Sequence, residues 1–335
     1  MSPRRSWLAF GSCADASFAD AIRALGTTSV GSRLKVRFAV SVGAGTPDPG
    51  RLGDVVSEAE LRGFDTVWLS DVPMLANTDP VLGVAFAAAR TSRMHLGLNV
   101  IPFGSTRFVV ANRLAQLDRL CGGRLLVTLV PGLDQPGERQ ALATNGLRRG
   151  DAIEDMIPEF RSWWAGDGVD VGDGVIARLA VRPVQDPLEI WLGGSSPAAI
   201  RRAGRVADGW LGARVSPQEA GVIRKAILDE AASAGRCIDV EHFGLSIAYA
   251  RHESDLDRAR RTAPLIVRKP AGAAVTREVV PVGSSALREL VGGLVEQGLS
   301  KFVVRPAASP ERLDGGAGWP DELEWLAASL LDLQT

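Results

Sequence analysis

The sequence predicts an α/β protein of the (β/α)8 TIM-barrel class, and three observations carry that expectation. Apolar runs of strand length alternate with longer segments of helical period, the pattern of βαβ crossovers onto a parallel sheet. Eight such runs occur, most of them apolar at nearly every position, as strands buried on both faces must be. The chain of 335 residues is long for an ordinary single domain but normal for a closed barrel.

The first strand is expected over 34–42 (LKVRFAVSV), followed by a helix over 51–62 that stops at Gly63, a residue suited to the left-handed position past a helix end. A second strand covers 64–70 (FDTVWLS), a helix opens at Pro80 and runs to Ser92, and the third strand covers 94–101 (MHLGLNVI). Val110, Leu114, Leu117 and Cys121 follow at spacings of four, three and four, on one helical face, and Gly122-Gly123 closes that helix. The fourth strand is 125–130 (LLVTLV); a polar helix over 151–164 and an irregular Gly- and Asp-rich segment separate it from the fifth, 188–192 (LEIWL). Ser196-Pro197 opens the next helix, serine as the cap and proline at the first helical position. A short sixth strand covers 208–211 (DGWL), a helix over 217–234 leads to the seventh at 243–250, and a helix over 285–297 precedes the eighth at 301–305 (KFVVR). Residues 1–33 are expected to form a flexible N-terminal extension, which leaves 34–335 as a single barrel domain.

A net charge of -1 with 46% hydrophobic and 23% charged residues describes a globular protein without a basic face, so nucleic acid is not an expected partner. Three widely spaced cysteines, Cys13, Cys121 and Cys237, form neither a CxxC pair nor an even disulfide set, which points to a reducing cytoplasm. No apolar run reaches membrane-spanning length, and 7–10 (WLAF) is too short for the core of a secretory signal.

Local motifs narrow the chemistry. Gly43-Ala44-Gly45 follows the first strand but lacks a third glycine, and Pro47 and Pro49 interrupt any helix there, so it is a loop rather than a dinucleotide fingerprint. No GxxxxGK[ST] loop, GxSxG elbow or HExxH helix occurs, and no His/Asp/Glu set has metal-ligand spacing. His95 and His242 precede strands, at the barrel end opposite the expected site, and read as structural. His252 follows the seventh strand on the catalytic side, where a solvated loop histidine and a catalytic one both fit. The segment Trp191-Leu192-Gly193-Gly194-Ser195-Ser196-Pro197 reads either as an ordinary βα turn with a serine cap or as a phosphate cradle. Glycines permit close backbone approach, serines add hydroxyls, and a helix N-terminus favours an anion. Other strand ends supply Ser41, Ser70-Asp71, Asn99, Pro131-Gly132, Arg251 and Arg305; Asp71 also suits a loop cap, and both arginines suit pairing with surface acids. A site so short of acids, bases and metal ligands suggests that an organic cofactor carries the chemistry. Residues 264–283, rich in Ala, Gly and Pro, fit either a lid or a surface loop.

Several segments, in order, resemble the luciferase-like monooxygenase superfamily of FMN- and deazaflavin F420-dependent oxidoreductases. They are 63–71 (GFDTVWLSD), Asp79-Pro80 with 89–93 (ARTSR), 96–100 (LGLNV), 117–124 (LDRLCGGR), 190–196 (IWLGGSS) and 207–210 (ADGW). The resemblance implies a flavin or deazaflavin ring across the C-terminal mouth of the barrel. Ser70, Asp71, Asn99 and Val100 would line the ring, Asn99-Val100 as a bulge with a cis peptide. Pro131 and Gly132 would follow the ribityl chain, and Gly193, Gly194, Ser195 and Ser196 would hold the phosphate. Val72 stands where the deazaflavin sugar-phosphate and alcohol dehydrogenases carry histidine, and Leu133 where the sugar-phosphate enzymes carry glutamate. Asp71-Val72-Pro73 is closer to a different subset of luciferase-type oxidoreductases. The expected activity is oxidation of a small organic substrate with reduced FMN and oxygen, a separate reductase supplying the flavin; Asp71 and His252 are the candidate catalytic residues. The alternatives are hydride transfer with coenzyme F420 and a flavin-binding barrel without turnover. A cytoplasmic homodimer is expected from the resemblance.

Overall fold

The computed structural model describes residues 34–42, 49–74, 77–262, 280–307, 313 and 318–335. The expected extension at 1–33, the glycine loop at 43–45 and most of the segment at 264–283 lie outside the described residues. The elements begin with β1 (Arg37–Ser41), α1 (Pro49–Arg62), β2 (Thr66–Ser70), α2 (Pro80–Ala88), β3 (His95–Val100), α3 (Arg107–Leu120) and β4 (Leu125–Leu129). After α4 (Pro136–Ala141) and α5 (Arg149–Ala165), a small antiparallel pair, β5 (Val169–Asp170) and β6 (Ile176–Ala177), precedes β7 (Ile190–Leu192). The chain continues through α6 (Pro197–Val206), β8 (Gly209–Ala213), α7 (Pro217–Ser233), β9 (Phe243–Tyr249), α8 (Glu253–Thr262), α9 (Gly283–Glu296) and β10 (Lys301–Pro306). It ends in α10 (Gly318–Leu330) and a short 3-10 turn.

Eight parallel strands close into a barrel in the order β1-β2-β3-β4-β7-β8-β9-β10, and β10 pairs back onto β1 with Val40 opposite Val304. All eight strands expected from the sequence are present. Several are shorter than their apolar runs, because apolarity continues past the ladder into covered loops: Ile101 is buried although β3 ends at Val100. Gly63 ends α1 at φ +93°, and Ser196 caps α6, its Oγ accepting from Ala199 N at 3.2 Å. The sequence reading passes over α4, the β5–β6 pair, α8 and α10. The last had a signal, since Trp319, Leu323, Leu326 and Leu330 recur at spacings of four, three and four and are all buried.

Strand alternation divides the core in two. One set of strand side chains, including Phe38, Leu98, Val127, Trp210 and Phe243, packs outward against the helices. The other faces the barrel axis, where Ala39, Trp68, Trp191, Leu211 and Val303 form a separate inner cluster. Two indoles in so narrow a space require bare neighbours. A Cβ on Gly97 would lie 2.0 Å from the Trp68 ring, and one on Gly209 would lie 2.5 Å from the Trp191 ring.

Two of the segments that carry the family resemblance prove to be clasps at strand starts and helix ends. Buried Asp118 accepts from Val184 N at 2.6 Å, Gln185 N at 2.9 Å and Gln185 Nε2 at 2.7 Å, tying the linker before β7 under α3. Arg124 donates to Cys121 O at 2.8 Å and Met94 O at 2.8 Å, and Gly122 and Gly123 take φ +63° and +78° to bring it there. Asp208 likewise accepts from Ile190 N at 2.9 Å and Arg161 Nη2 at 2.7 Å.

Gly97→Ala is expected to destabilise the fold by about 1–3 kcal/mol through overpacking against Trp68. Gly292→Ala on α9, where an added Cβ meets nothing within 4 Å, is expected to be neutral or stabilising by up to about 1 kcal/mol. Urea denaturation of the two variants checks the contrast.

Candidate functional site

Two residues beyond the inner cluster, each strand reaches the C-terminal mouth with the same face inward. The residues in those positions are Ser41, Ser70, Asn99, Thr128, Gly193, Ala213, Ala248 and Arg305, set by pairings such as Ser70 with Asn99, Asn99 with Thr128 and Ala248 with Arg305. The layer above the two indoles is thus small and polar, where barrel enzymes place their chemistry. Asn99 Nδ2 donates to Ser70 Oγ at 2.9 Å. Asn99 Oδ1, Thr128 Oγ1 and Arg305 Nε are all buried and have no hydrogen-bond partner among the described residues. Buried polar atoms are rarely left so, and a cluster of them at one mouth fits a polar ligand that completes their bonds.

At the β2–β3 rim, Asp71 N donates to Asn99 O at 2.9 Å, and Asp71 Oδ2 accepts from Ile101 N at 3.2 Å. Asn77 Nδ2 holds the Ser70 carbonyl at 2.9 Å. Burial raises the pKa of the Asp71 carboxyl, and the negative charges of Asp79 and Glu138 add to it, against the hydrogen bond from Ile101. The bulge expected at Asn99-Val100 is not found. Its peptide is trans, the cis bond among the described residues being Asp186-Pro187. The ladder stays in register through Val100, which pairs with Leu129 and accepts from Val130 N at 3.0 Å, so β3 has no extra residue there. Val100 is buried, whereas Ser70, Asp71 and Asn99 remain partly open.

Pro131 and Gly132 follow β4, with Gly132 at φ +79°. A Cβ there would lie 2.5 Å from Glu138 Oε1. Buried Glu138 pairs with buried Arg149 at 2.8 Å, and Arg149 Nη2 donates to Leu133 O at 2.6 Å, so α4 and α5 together fix this loop. Glu138, Arg149 and Thr128 were not among the sequence candidates. Glu138 and Arg149 sit on helices outside every motif, and Thr128 reads as one more residue of an apolar strand.

The Gly193–Ser196 segment has the geometry of a cradle. Gly194 takes φ +101°, a Cβ on it would lie 2.9 Å from Ala199 Cβ, and one on Gly193 would lie 2.8 Å from Leu211 O. Trp210 Nε1 donates to Gly194 O at 3.0 Å. Because the next peptide unit is planar and trans, Ser195 N–H points the other way, out of the packed layer. Gly194, Ser195, Ser196 and Pro197 are exposed, and α6 starts directly behind them, with the Ala199 N–H already taken by Ser196 Oγ.

Other candidates are distributed as follows. His95 opens β3 at the opposite end, 3.8 Å from Asp65 Oδ1, and His242 bonds Asp208 O at 3.0 Å. His252 lies on the catalytic side at the start of α8, but its side chain is exposed and forms no hydrogen bond among the described residues. Arg251 pairs with Asp321 at 2.6 Å and lies over Trp325, whereas Arg305 has no acidic partner among the described residues. A small cavity lined by Arg37, Trp68, Trp191 and Lys301 lies at the strand-start end, away from this mouth. No group of three His, Cys, Asp or Glu suited to a metal occurs among the described residues, and no described helix is long and apolar enough to cross a membrane.

A closed parallel barrel with alternating helices and a polar mouth defines a (β/α)8 protein. Comparison with known sequences places it further. The profile of the luciferase-like monooxygenase family matches residues 28–287, and the chain belongs to that family. It is similar to an F420-dependent glucose-6-phosphate dehydrogenase of Nakamurella multipartita, 28% identical over 230 residues, 61% of this chain and 64% of that protein. The match therefore spans slightly less than two thirds of that relative. Among solved structures, an F420-dependent secondary alcohol dehydrogenase with an F420–acetone adduct superposes with a TM-score of 0.71 at 14% identity, covering 90% of this chain and 100% of that one. The monooxygenase RslO1 of Streptomyces bottropensis gives 0.69 at 19%, covering 89% and 100%. At such identities these two show the shared barrel.

The raised Asp71 carboxyl has a pH consequence. A carboxyl whose folded pKa lies above its unfolded value contributes stability at low pH and loses it as pH rises through the folded value. Asp71→Asn keeps an acceptor for Ile101 N–H but carries no charge. Its stability relative to the native chain is expected to increase from about pH 4 upward, towards neutrality. Denaturation curves for both proteins at pH 4 and pH 7 test this, and an unchanged difference would contradict it.

Proposed function

We propose that the chain is a hydride-transfer oxidoreductase that uses the deazaflavin coenzyme F420. The observation that carries the cofactor is the Gly193–Ser196 cradle, whose backbone a side chain would fill and which lies exposed at the N-terminus of α6 with Ser195 N–H turned outward. The curated relative at 28% identity favours F420 over FMN, whereas the monooxygenase likeness rests on fold alone. Reduced FMN with oxygen, the first expectation from the sequence, is therefore the second reading. Glucose-6-phosphate is not assigned as substrate, because Val72 and Leu133 replace the histidine and glutamate of the sugar-phosphate enzymes that this chain resembles.

When bound, F420 supplies the hydride acceptor and donor. The chain's own residues do the rest. Gly193, Gly194, Ser195 and Ser196 would hold the phosphate, Pro131 and Gly132 would border the ribityl chain, and Ser70 and Asn99 would border the ring, whereas Val100, in register and packed in the outer core, would not. Asn99 Oδ1 and Thr128 Oγ1 gain the bonds they lack. Asp71 is the proton-holding group at the mouth: its burial keeps a proton on the carboxyl to higher pH than an exposed aspartate, as exchange with an alcohol or carbonyl oxygen requires.

Fluorescence titration is expected to show F420 binding at least tenfold tighter than FMN; the reverse order would return the reading to the FMN monooxygenase. Ser195→Asp places a carboxylate in the cradle without straining Gly194. It is expected to weaken F420 binding roughly tenfold or more by charge repulsion, with the thermal midpoint unchanged. Unaltered affinity would move the phosphate elsewhere.

A further inference from the structure

Arg305 is the one charged side chain of the inward-facing mouth layer. It lies two residues beyond inner-cluster Val303 on β10, opposite Ala248 of β9, with Ser41 at the end of β1 on its other side. Other arginines near the barrel find carboxylates: Arg149 pairs with Glu138 at 2.8 Å, Arg161 with Asp208 at 2.7 Å and Arg251 with Asp321 at 2.6 Å. Arg305 has none. Its Nε is buried and meets no acceptor among the described residues, and the charge nearest to matter is a second guanidinium, Arg214, just past β8 at φ +58°. Burial and then Arg214 push the Arg305 guanidinium down to about 10, so it remains charged at neutral pH. A charge withdrawn from water is strongly unfavourable unless an anion joins it.

We propose that Arg305 is an anion subsite that receives a carboxylate or phosphate group of the substrate. The planar fork of a guanidinium binds either group through two parallel hydrogen bonds. The position separates this subsite from the cradle, because β8 and β9 lie between β7 and β10. It also favours the substrate over the coenzyme's acidic tail as the source of the anion. Arg305 faces the barrel axis, so its ligand must enter the mouth itself, where the reacting end belongs, whereas a solvated polyanionic tail stays at the rim. The inference rests on the F420 reading only in placing substrate in this mouth.

The test uses the full chain and Arg305→Met without coenzyme, heated in phosphate, acetate or chloride at equal ionic strength, followed by F420 titration of both. The native midpoint is expected to rise saturably with phosphate or acetate over chloride. Arg305→Met is expected to be the more stable protein in chloride, to require roughly tenfold more anion for any response, and to bind F420 as the native chain does. An equal anion response in the variant, or no response in the native chain, overturns the subsite. Loss of F420 affinity in Arg305→Met overturns the substrate assignment and gives the anion to the coenzyme. Failure of the native chain to bind F420 with its anion response intact counts against the cofactor reading alone. Should Arg305→Met not fold, Arg305→Lys keeps the charge without the fork and is expected to bind the same anions more weakly; an equal response again overturns the subsite.

Discussion

Closing the sheet is the constraint on which the rest of the molecule depends. Once Arg37 to Val40 pair with Lys301 to Val304, no strand edge remains, and the register around the ring decides which side chains share the axis. With a side-chain period of two, a slip by one residue would turn Trp68, Trp191 and Val303 out to the helices and bring the outward set in. The inner cluster resists that slip, because two indoles fit only where Gly97 and Gly209 leave room. Filling the strand-start half with these rings also leaves the mouth half to short or polar residues. The space for a ligand is in this sense a product of how the lower half is packed.

The two ends of the barrel divide the work. Asp118, Arg124 and Asp208 lie in segments that carry the family resemblance, yet each spends its hydrogen bonds on backbone and neighbouring side chains away from the mouth. They stabilise connections. At the other end, polar groups are positioned but incompletely bonded: Asn99 Oδ1, Thr128 Oγ1 and Arg305 Nε remain orphaned, and Ser195 N–H is turned outward. Leaving such groups unmet costs stability, which is acceptable where a ligand supplies the missing bonds.

Much of the fold was legible because it follows from period and punctuation. Apolar runs gave the eight strands, Gly63 the end of α1, and Ser196-Pro197 the start of α6. The turn at Gly193–Ser196 was legible too, as adjacent glycines and serines at a strand end; its use as a phosphate cradle is part of the proposed function. The cis bulge at Asn99-Val100 was an inference from resemblance, and the in-register ladder through Val100 replaces it. What could not be read were relations between distant elements. Glu138 and Arg149 meet across a turn from separate helices, and nothing in the sequence marks Arg251 as paired and Arg305 as unpaired. Pairing is decided by strand parity and by α10, whose Asp321 reaches one arginine and not the other. Apolar spacing could have found α10; no local signal could have found the orphaned guanidinium.

The proposed function depends most on the cofactor phosphate sitting at Gly193–Ser196. Hydrogen exchange read by mass spectrometry, with and without saturating F420, tests it without any substitution. Slowed exchange in the peptide carrying residues 193–199, together with the β2–β3 rim around Asp71 and Ile101, is the expected result. Binding that leaves 193–199 unchanged and protects another strand end instead would contradict it.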